Sequence, residues 1–281
     1  MSVSKTIAHP ELKQFIPERT VVSSRRSVLL GLSSLLLTGC VSEVDHALSS
    51  SAPKIIAHGG GRMEPSFASD IAGSIGGKGA GILISPYSGD PKSTAQSDLQ
   101  LLRHLGFRNL SVLDLSRPGI ALEMVSGARA IWFSGGAQKN QVLALSAVSG
   151  MRDALHAAYR RGCLMVGGSA GAAVMTKLMI SGGTDGAVYT RQGLGFWSEA
   201  VIDQHVAQRN REYRLRRVIA DNPNLIGVGL DESTWIAHQG ETFLVRGRGA
   251  VHVVTVGLSG GVEEIRLRSG ARYDLRSRSK I

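Results

Sequence analysis

Cysteine is scarce in this chain, whose only two copies are Cys40 and Cys163. Cys40 ends a segment that resembles an N-terminal signal, so Cys163 alone belongs to the main part of the chain. A single cysteine cannot form an intramolecular disulfide. We therefore expect packing to stabilise the fold, with Cys163 as a small buried apolar residue.

Other features are also missing. Aromatic residues make up only 5% of the chain, and the sequence contains no internal repeat. Spacings typical of metal sites, such as HExxH on a helix, are absent, so we expect neither a metal nor a cofactor. The net charge of +10 would suit acidic ligands, membrane surfaces or nucleic acid. The charges are scattered, however, and no nucleic-acid-binding motif accompanies them, so we expect no nucleic-acid partner.

The N-terminus resembles a bacterial export signal. Residues 24–40 read SRRSVLLGLSSLLLTGC, with the pair Arg25 and Arg26 before an apolar stretch. That stretch is shorter than the ~20 residues that cross a bilayer and resembles the core of a twin-arginine signal peptide. The last four residues resemble a lipobox, in which Cys40 would be lipidated. The alternatives are a plain secretory signal and a short buried helix.

These features predict the organisation of the chain. Residues 1–40 form the signal, residues 41–53 a polar linker, and residues 54–281 a single α/β domain. The protein is expected to be exported, as a periplasmic, outer-membrane-anchored or extracellular protein, with a membrane tether through Cys40. The sequence leaves a homodimer open.

Short apolar runs alternate with amphipathic segments after residue 54. Strands are predicted at residues 54–58, 80–85, 109–113, 130–134, 164–167 and 225–230. Helices are predicted at residues 65–73, 93–105, 138–146, 151–161 and 170–179. Runs that are apolar on both faces indicate a mostly parallel sheet flanked by helices. After Thr234 the alternating pattern of segments 235–238, 242–245, 251–256 and 264–267 predicts antiparallel strands that finish this sheet.

A serine among small residues stands where a strand should turn into a helix. Residues 163–171 read CLMVGGSAG, and Ser169 could project from this turn as a nucleophile. Gly167, Gly168 and Gly171 would relieve crowding there. The amide of Ala170 would then face the oxyanion formed when Ser169 attacks a carbonyl. The alternative is a glycine-rich turn with Ser169 as the helix N-cap.

A nucleophilic serine needs a base and an orienting carboxylate. Among eight histidines, His205 is set apart by the polar and cationic residues around it, whereas Arg214 and the arginines after it are expected to be solvated. The neighbours Asp231 and Glu232 follow an apolar run. The residues themselves leave open which of these two carboxylates would orient His205.

Five motifs follow one another along the chain: GGG at residues 59–61, SGGAQ at 134–138, GGSAGA at 167–172, DQHVAQRNR at 203–211 and GVGLDEST at 227–234. Their sequences and order resemble the cyanophycinase family, a serine peptidase family that also includes the aspartyl dipeptidases (peptidase E). The resemblance implies a flavodoxin-like fold related to the class I glutamine amidotransferases. The chain departs from the family pattern at Gly168 and Val206, which affects substrate detail more than catalysis.

The resemblance also implies roles for individual residues. Ser169 would be the nucleophile, His205 the general base and acid, and Glu232 the orienting carboxylate. Gly136 and Ala170 would supply oxyanion amides. The substrate pocket would be lined by Gln138, Asp203, Gln204, Arg209 and Arg211.

The expected activity is that of a serine-type exopeptidase that releases β-Asp-Arg dipeptides from cyanophycin through an acyl-enzyme. Arg209 and Arg211 would clamp the carboxylates of this polymer. One alternative is an aspartyl or isoaspartyl dipeptidase with the same triad, and another is a non-catalytic ligand-binding surface lipoprotein. A generic α/β-hydrolase esterase is disfavoured because those enzymes order their triad as serine, acid, histidine.

Overall fold

The computed structural model describes residues 54–184 and 186–281. The predicted signal, Cys40 and the predicted linker lie outside the described residues, so these three expectations remain predictions. In the part described, no helix is both long and apolar enough to span a membrane.

A nine-stranded sheet forms the centre of the structure. Five neighbouring strands run parallel, in the order β3 (Leu110–Val112), β2 (Ile82–Ser85), β4 (Ala130–Phe133), β5 (Leu164–Gly168) and β1 (Ile55–His58). Antiparallel strands continue the sheet beyond β1, in the order β10 (Thr234–Gln239), β11 (Thr242–Gly247), β14 (Arg272–Asp274) and β15 (Ser279–Lys280).

Helices cover both faces of the parallel strands. They are α1 (Pro65–Ile75), α2 (Pro91–His104), α3 (Pro118–Gly127), α4 (Gln138–Ala147) and α5 (Met151–Arg160). Successive strand residues point to opposite faces. Ile131 accordingly packs in one apolar cluster with α3, α4 and α5, while Trp132 packs in another with α1 and α2. This division explains why the parallel strands are apolar on both faces.

A second sheet of four strands lies beside the first. Its order is β13 (Val262–Leu267), β12 (Val251–Val256), β9 (Ile226–Leu230) and β8 (Ala200–Gln204), with only β8 and β9 parallel. Helix α7 (Glu212–Asp221) packs on it through Leu215, Val218 and Ile219. A separate hairpin joins β6 (Leu178–Thr184) to β7 (Ala187–Gln192).

The predicted fold class is confirmed, and the five parallel strands were placed to within two residues of their observed ends. The prediction of one continuous sheet was wrong. Strand β9, expected among the parallel strands, lies in the second sheet, as do β12 and β13. The predicted set of strands and helices also omitted α3, the β6–β7 hairpin, β8, α7, β14 and β15.

The helix predicted at residues 170–179 was also wrong, because the helix α6 spans only Ala170–Ala173. Backbone carbonyls just beyond it bond elsewhere: Val174 O accepts from Leu194 N (2.7 Å), and Met175 O accepts from Phe196 N (2.9 Å). These long-range bonds replace the i to i+4 bonds that would continue a helix. No glycine or proline marks the stop, so local sequence gave no warning.

We expect Gly171→Ala to destabilise the protein. A Cβ at this position would lie 1.9 Å from the carbonyl oxygen of Phe133, a backbone atom that cannot rotate away. Overpacking of this kind costs about 1–3 kcal/mol or more, which urea unfolding would measure. Gly73→Ala is the control: it lies in α1 with open space around the added methyl and should stabilise the helix by ~0.5–1 kcal/mol. Equal stability of the two variants would contradict the packing described.

Candidate active site

Ser169 lies in the sharp turn between β5 and α6 (Ala170–Ala173). Its backbone has φ 54° and ψ −120°, a conformation that costs a non-glycine residue about 1–3 kcal/mol. Close backbone packing enforces the turn, since a Cβ on Gly167 would lie 2.2 Å from the carbonyl oxygen of Gly171. The Ser169 N–H donates to His58 O (2.9 Å), which ties the turn to β1.

His205 directly follows β8 and reaches Ser169 from the second sheet. Its Nε2 lies 2.7 Å from Ser169 Oγ, and the residue is only 6% exposed. Like Ser169, it has a positive φ of 54°. Its backbone N–H donates to Gly59 O (3.0 Å).

Glu232 completes a linear series of hydrogen bonds. Its Oε1 lies 2.6 Å from His205 Nδ1, and its side chain is 37% exposed. With Nδ1–H donated to the carboxylate, Nε2 is left as the acceptor for the Ser169 hydroxyl. The series therefore places an acceptor where proton removal from a nucleophilic serine requires one.

Asp231, the other carboxylate that the sequence left open, faces away from His205. Its Oδ1 accepts from Ala207 N (3.1 Å) and its Oδ2 from Ala250 N (2.9 Å). Oδ1 also lies 3.1 Å from His252 Nε2. Of the two neighbours, Glu232 is thus the one in contact with His205.

The glycine turn (residues 59–61) makes room for these side chains. A Cβ on Gly60 would lie 2.2 Å from Cε1 of His205, and one on Gly61 would lie 2.8 Å from Cβ of Glu232. Gly60 and Gly61 also have positive φ values, 96° and 72°. Sequence reasoning identified this run only as a motif, and the structure supplies its physical reason.

Burial lowers the pKa of His205 below its ordinary value, since the charged ring is disfavoured there. Glu232 opposes this change through its hydrogen bond and charge, whereas the guanidinium groups of Arg209 and Arg211 add to it. The ring is therefore neutral, and able to accept a proton, over a wider pH range than a free histidine.

The two residues expected to supply oxyanion amides lie in segments that adjoin the serine. Ala170 follows Ser169 and begins α6, where helix N–H groups lack intrahelical partners. Gly136 has φ 124° in the loop after β4. A Cβ on the preceding Gly135 would lie 3.7 Å from Cβ of Ser169, so this loop passes along the serine. A bond from Ala137 N to Ser88 O (2.8 Å) holds it.

The predicted pocket residues differ in exposure. Arg209 is exposed, next to His205 in a short 3₁₀ turn (Ala207–Arg209). Arg211 is half-buried, and its Nη1 donates to the carbonyl oxygen and to Oε1 of Gln204 (both 3.0 Å). Gln138 is 8% exposed, and its Nε2 donates to Ile180 O (2.8 Å).

Asp203 is 1% exposed and pairs with Arg214. Asp203 Oδ2 lies 3.1 Å from Arg214 Nε. The expectation that Arg214 is solvated was therefore wrong: α7 turns it inward, where it is 3% exposed. Burial raises the pKa of Asp203 to about 6, although Arg214, the Gln204 N–H and Arg211 oppose the rise. Asp203 and Arg214 thus form a buried ion pair.

The triad lies apart from the largest described cavity. That cavity, of about 680 Å³, lies between β7 and α7 and is lined by residues such as Thr190, Tyr213 and Arg217. Among the residues described, no group of three or more His, Cys, Asp or Glu side chains is arranged to hold a metal ion. Cys163 is buried, and burial raises the pKa of its thiol to about 12.

An α/β fold that places a serine, a histidine and a glutamate in a hydrogen-bonded series has the architecture of a serine hydrolase. Comparison with known proteins agrees with this class. The model of peptidase family S51 matches residues 55–246. The chain belongs to this family and is a serine peptidase.

Similar proteins include two cyanophycinases. The one from Geminocystis herdmanii is 33% identical over 194 residues, which cover 64% of this chain and 71% of that protein. The one from a Nostoc species is 32% identical over 199 residues, covering 65% of each. The matched region thus spans about two thirds of these relatives.

Solved structures show the same fold. A peptidase from an acI-B1 Actinobacterium superposes with a TM-score of 0.61 at 19% identity, covering 78% of this chain and 96% of that one. A putative peptidase E protein from Listeria monocytogenes superposes with a TM-score of 0.52 at 13% identity, covering 69% and 98%.

We expect a serine-directed phosphonate to label Ser169 at a rate that rises with pH through a midpoint below 6.5, because burial lowers the pKa of His205. Glu232→Gln should slow labelling by about 10³–10⁴-fold and move the midpoint lower still, since the carboxylate raises that pKa. The exposed Glu123 on α3 supplies the control, Glu123→Gln, which should label like the unmodified chain. Labelling that did not depend on Glu232 would contradict the assignment.

Proposed function

We propose that this serine peptidase hydrolyses cyanophycin, a poly-aspartate whose side chains carry arginine, and releases β-Asp-Arg dipeptides as an exopeptidase. The observation that carries the proposal is the unbroken series from Ser169 Oγ through His205 to Glu232 Oε1, with distances of 2.7 and 2.6 Å. Identities of 32–33% to cyanophycinases supply the substrate class.

In the proposed mechanism, Ser169 Oγ attacks a backbone carbonyl of the substrate while His205 Nε2 takes its proton. Glu232 stabilises the imidazolium that forms. The amides of Gly136 and Ala170 bind the oxyanion. His205 then gives the proton to the leaving amine, and water, activated by the same histidine, releases the acyl group from Ser169.

The proposed pocket recognises carboxylates through two arginines. Arg211 is pre-oriented because Gln204 holds its Nη1, which leaves Nη2 and Nε for paired bonds to a carboxylate. Arg209 is exposed beside it and can bind a second anionic group. Gln138 and Gln204 add amide groups to the pocket. Asp203 acts indirectly, by fixing Arg214 under the surface.

Incubation of the purified chain with insoluble cyanophycin should release β-Asp-Arg, detected by mass. Ser169→Ala should abolish release while leaving the fold intact, since the hydroxyl makes no other hydrogen bond among the residues described. Arg211→Lys should weaken polymer hydrolysis by about tenfold or more, because an ammonium group cannot form the paired bonds.

The same assay separates the alternative activities. Cleavage of Asp-Leu-type dipeptides without release of β-Asp-Arg would assign the chain to the aspartyl dipeptidases. The absence of both peptide cleavage and phosphonate labelling of Ser169 would favour a non-catalytic lipoprotein.

We also propose that the protein is exported and tethered by acyl chains on Cys40. The support is the twin-arginine pair, the short apolar stretch and the LTGC sequence that ends at Cys40. When a bacterial host that expresses the protein is fractionated, the protein should be found in the membrane fraction. The Cys40→Ala variant should be found in the soluble fraction and should lack the mass of the acyl chains. Cys163→Ala serves as the control, and a Cys40 variant that stayed with the membranes would refute the tether.

A further inference from the structure

A second chain of hydrogen bonds begins beside the catalytic glutamate. Asp231 accepts three donors: the backbone N–H groups of Ala207 and Ala250 and the ring of His252. Ala207 lies two residues after His205, and Asp231 directly precedes Glu232. One carboxylate therefore joins the two segments that carry the base and its acidic partner.

His252, on β12, lies between two carboxylates. Its Nε2 is 3.1 Å from Asp231 Oδ1, and its Nδ1 is 3.0 Å from Glu264 Oε1. A neutral imidazole carries a single N–H and would leave one of these carboxylates facing a lone pair. Only the imidazolium donates to both. The side chain is 2% exposed, so bulk water has little access to the ring.

We propose that His252 is a positioning residue for catalysis: as an imidazolium bonded to Asp231 and Glu264, it fixes the Asp231 carboxylate and so sets the geometry of His205 and Glu232. Loss of one ring proton leaves one of the two carboxylates without its donor, which loosens this network and slows the enzyme at alkaline pH. This inference rests on the proposed function of the triad.

The charges around the ring determine the pH range. Asp231 faces it from the loop after β9, and Glu264 and Arg266 face it from β13. Arg216 of α7 acts on it indirectly, since Arg216 Nη1 lies 3.2 Å from Glu264 Oε2. Burial disfavours the charged ring. The hydrogen bonds that the ring donates to Asp231 and Glu264 outweigh this effect, so the pKa of His252 is raised. Burial likewise opposes ionisation of both carboxylates, but their bonds with His252 help to lower the pKa of each.

The sign of the effect follows from these directions. A histidine whose pKa is raised on folding contributes fully below its unfolded value of about 6.5 and loses the contribution as pH rises through the folded pKa. The carboxylates contribute until pH falls through their lowered values. The network is therefore intact between these limits, and on the alkaline side it is lost as His252 gives up its proton.

The test compares phosphonate labelling of Ser169 from pH 6 to 10 in the full chain, His252→Gln and Glu264→Gln. NMR of the His252 ring in the unmodified chain gives its titration midpoint. We expect the labelling rate to fall at alkaline pH with that same midpoint. His252→Gln should label about 10- to 100-fold more slowly at neutral pH and lose the alkaline limb. His104→Gln, at an exposed histidine of α2, should behave like the unmodified chain.

Glu264→Gln keeps the inference falsifiable if His252→Gln does not fold. Removing one carboxylate lowers the pKa of His252, so the alkaline limb should move to lower pH, an outcome that general loosening would not produce. The inference is overturned if the midpoint of the alkaline fall in labelling rate is unchanged in both variants. It is also overturned if that midpoint in the unmodified chain differs from the NMR titration midpoint of His252. Labelling without β-Asp-Arg release would instead refute the proposed substrate, and absence of labelling in the unmodified chain would refute both.

Discussion

The glycine turn at residues 59–61 joins the two sheets at the point where the site is assembled. Gly59 O accepts from His205 N, Gly60 O accepts from Ser233 N, and Gly59 N donates to Thr234 O. The first two bonds connect the end of β1, which also holds the Ser169 turn, to the segments after β8 and β9 that carry His205 and Glu232. The third bond continues the pairing of β1 with β10 in the central sheet. Because side chains at Gly60 and Gly61 would collide with His205 and Glu232, the approach depends on glycine. The hydrogen bonds of the triad depend in turn on that approach.

Electrostatics divides the surroundings of the triad into two parts. Toward the pocket, Arg209 and Arg211 place positive charge beside His205 and favour its neutral form. On the other side, Asp231, His252 and Glu264 form an alternating series of charges that holds the loops. Glu232 stands between the two parts, with one oxygen on the base and its backbone N–H on Gln208 Oε1 (2.8 Å). In the proposed function, substrate recognition and loop positioning thus use separate ionisable groups.

The sequence predicted the elements whose signals are local. Strands such as Ile55–His58 and Leu164–Gly168 are apolar on both faces, and the small residues around Ser169 indicate a tight turn. The split into two sheets had no such signal, because β9 is as apolar as the parallel strands. The buried position of Arg214 on α7 depends on its ion pair with Asp203 of β8. The proposed role of His252 depends on Glu264 of the neighbouring strand β13. Such pairings are set by tertiary packing, which periodicity does not report.

Backbone strain is concentrated around the triad. Ser169, His205 and Ser233 have φ values of 54°, 54° and 55°, where an L side chain is disfavoured and glycine is not. The backbone would relax if glycine replaced any of them, yet a glycine at the first two positions removes the reacting groups. Selection for stability of the fold and selection for catalytic activity therefore act in opposite directions at Ser169 and His205. In a lineage that no longer needed the activity, mutational drift would be free to ease the backbone there and leave a sturdier but inert descendant.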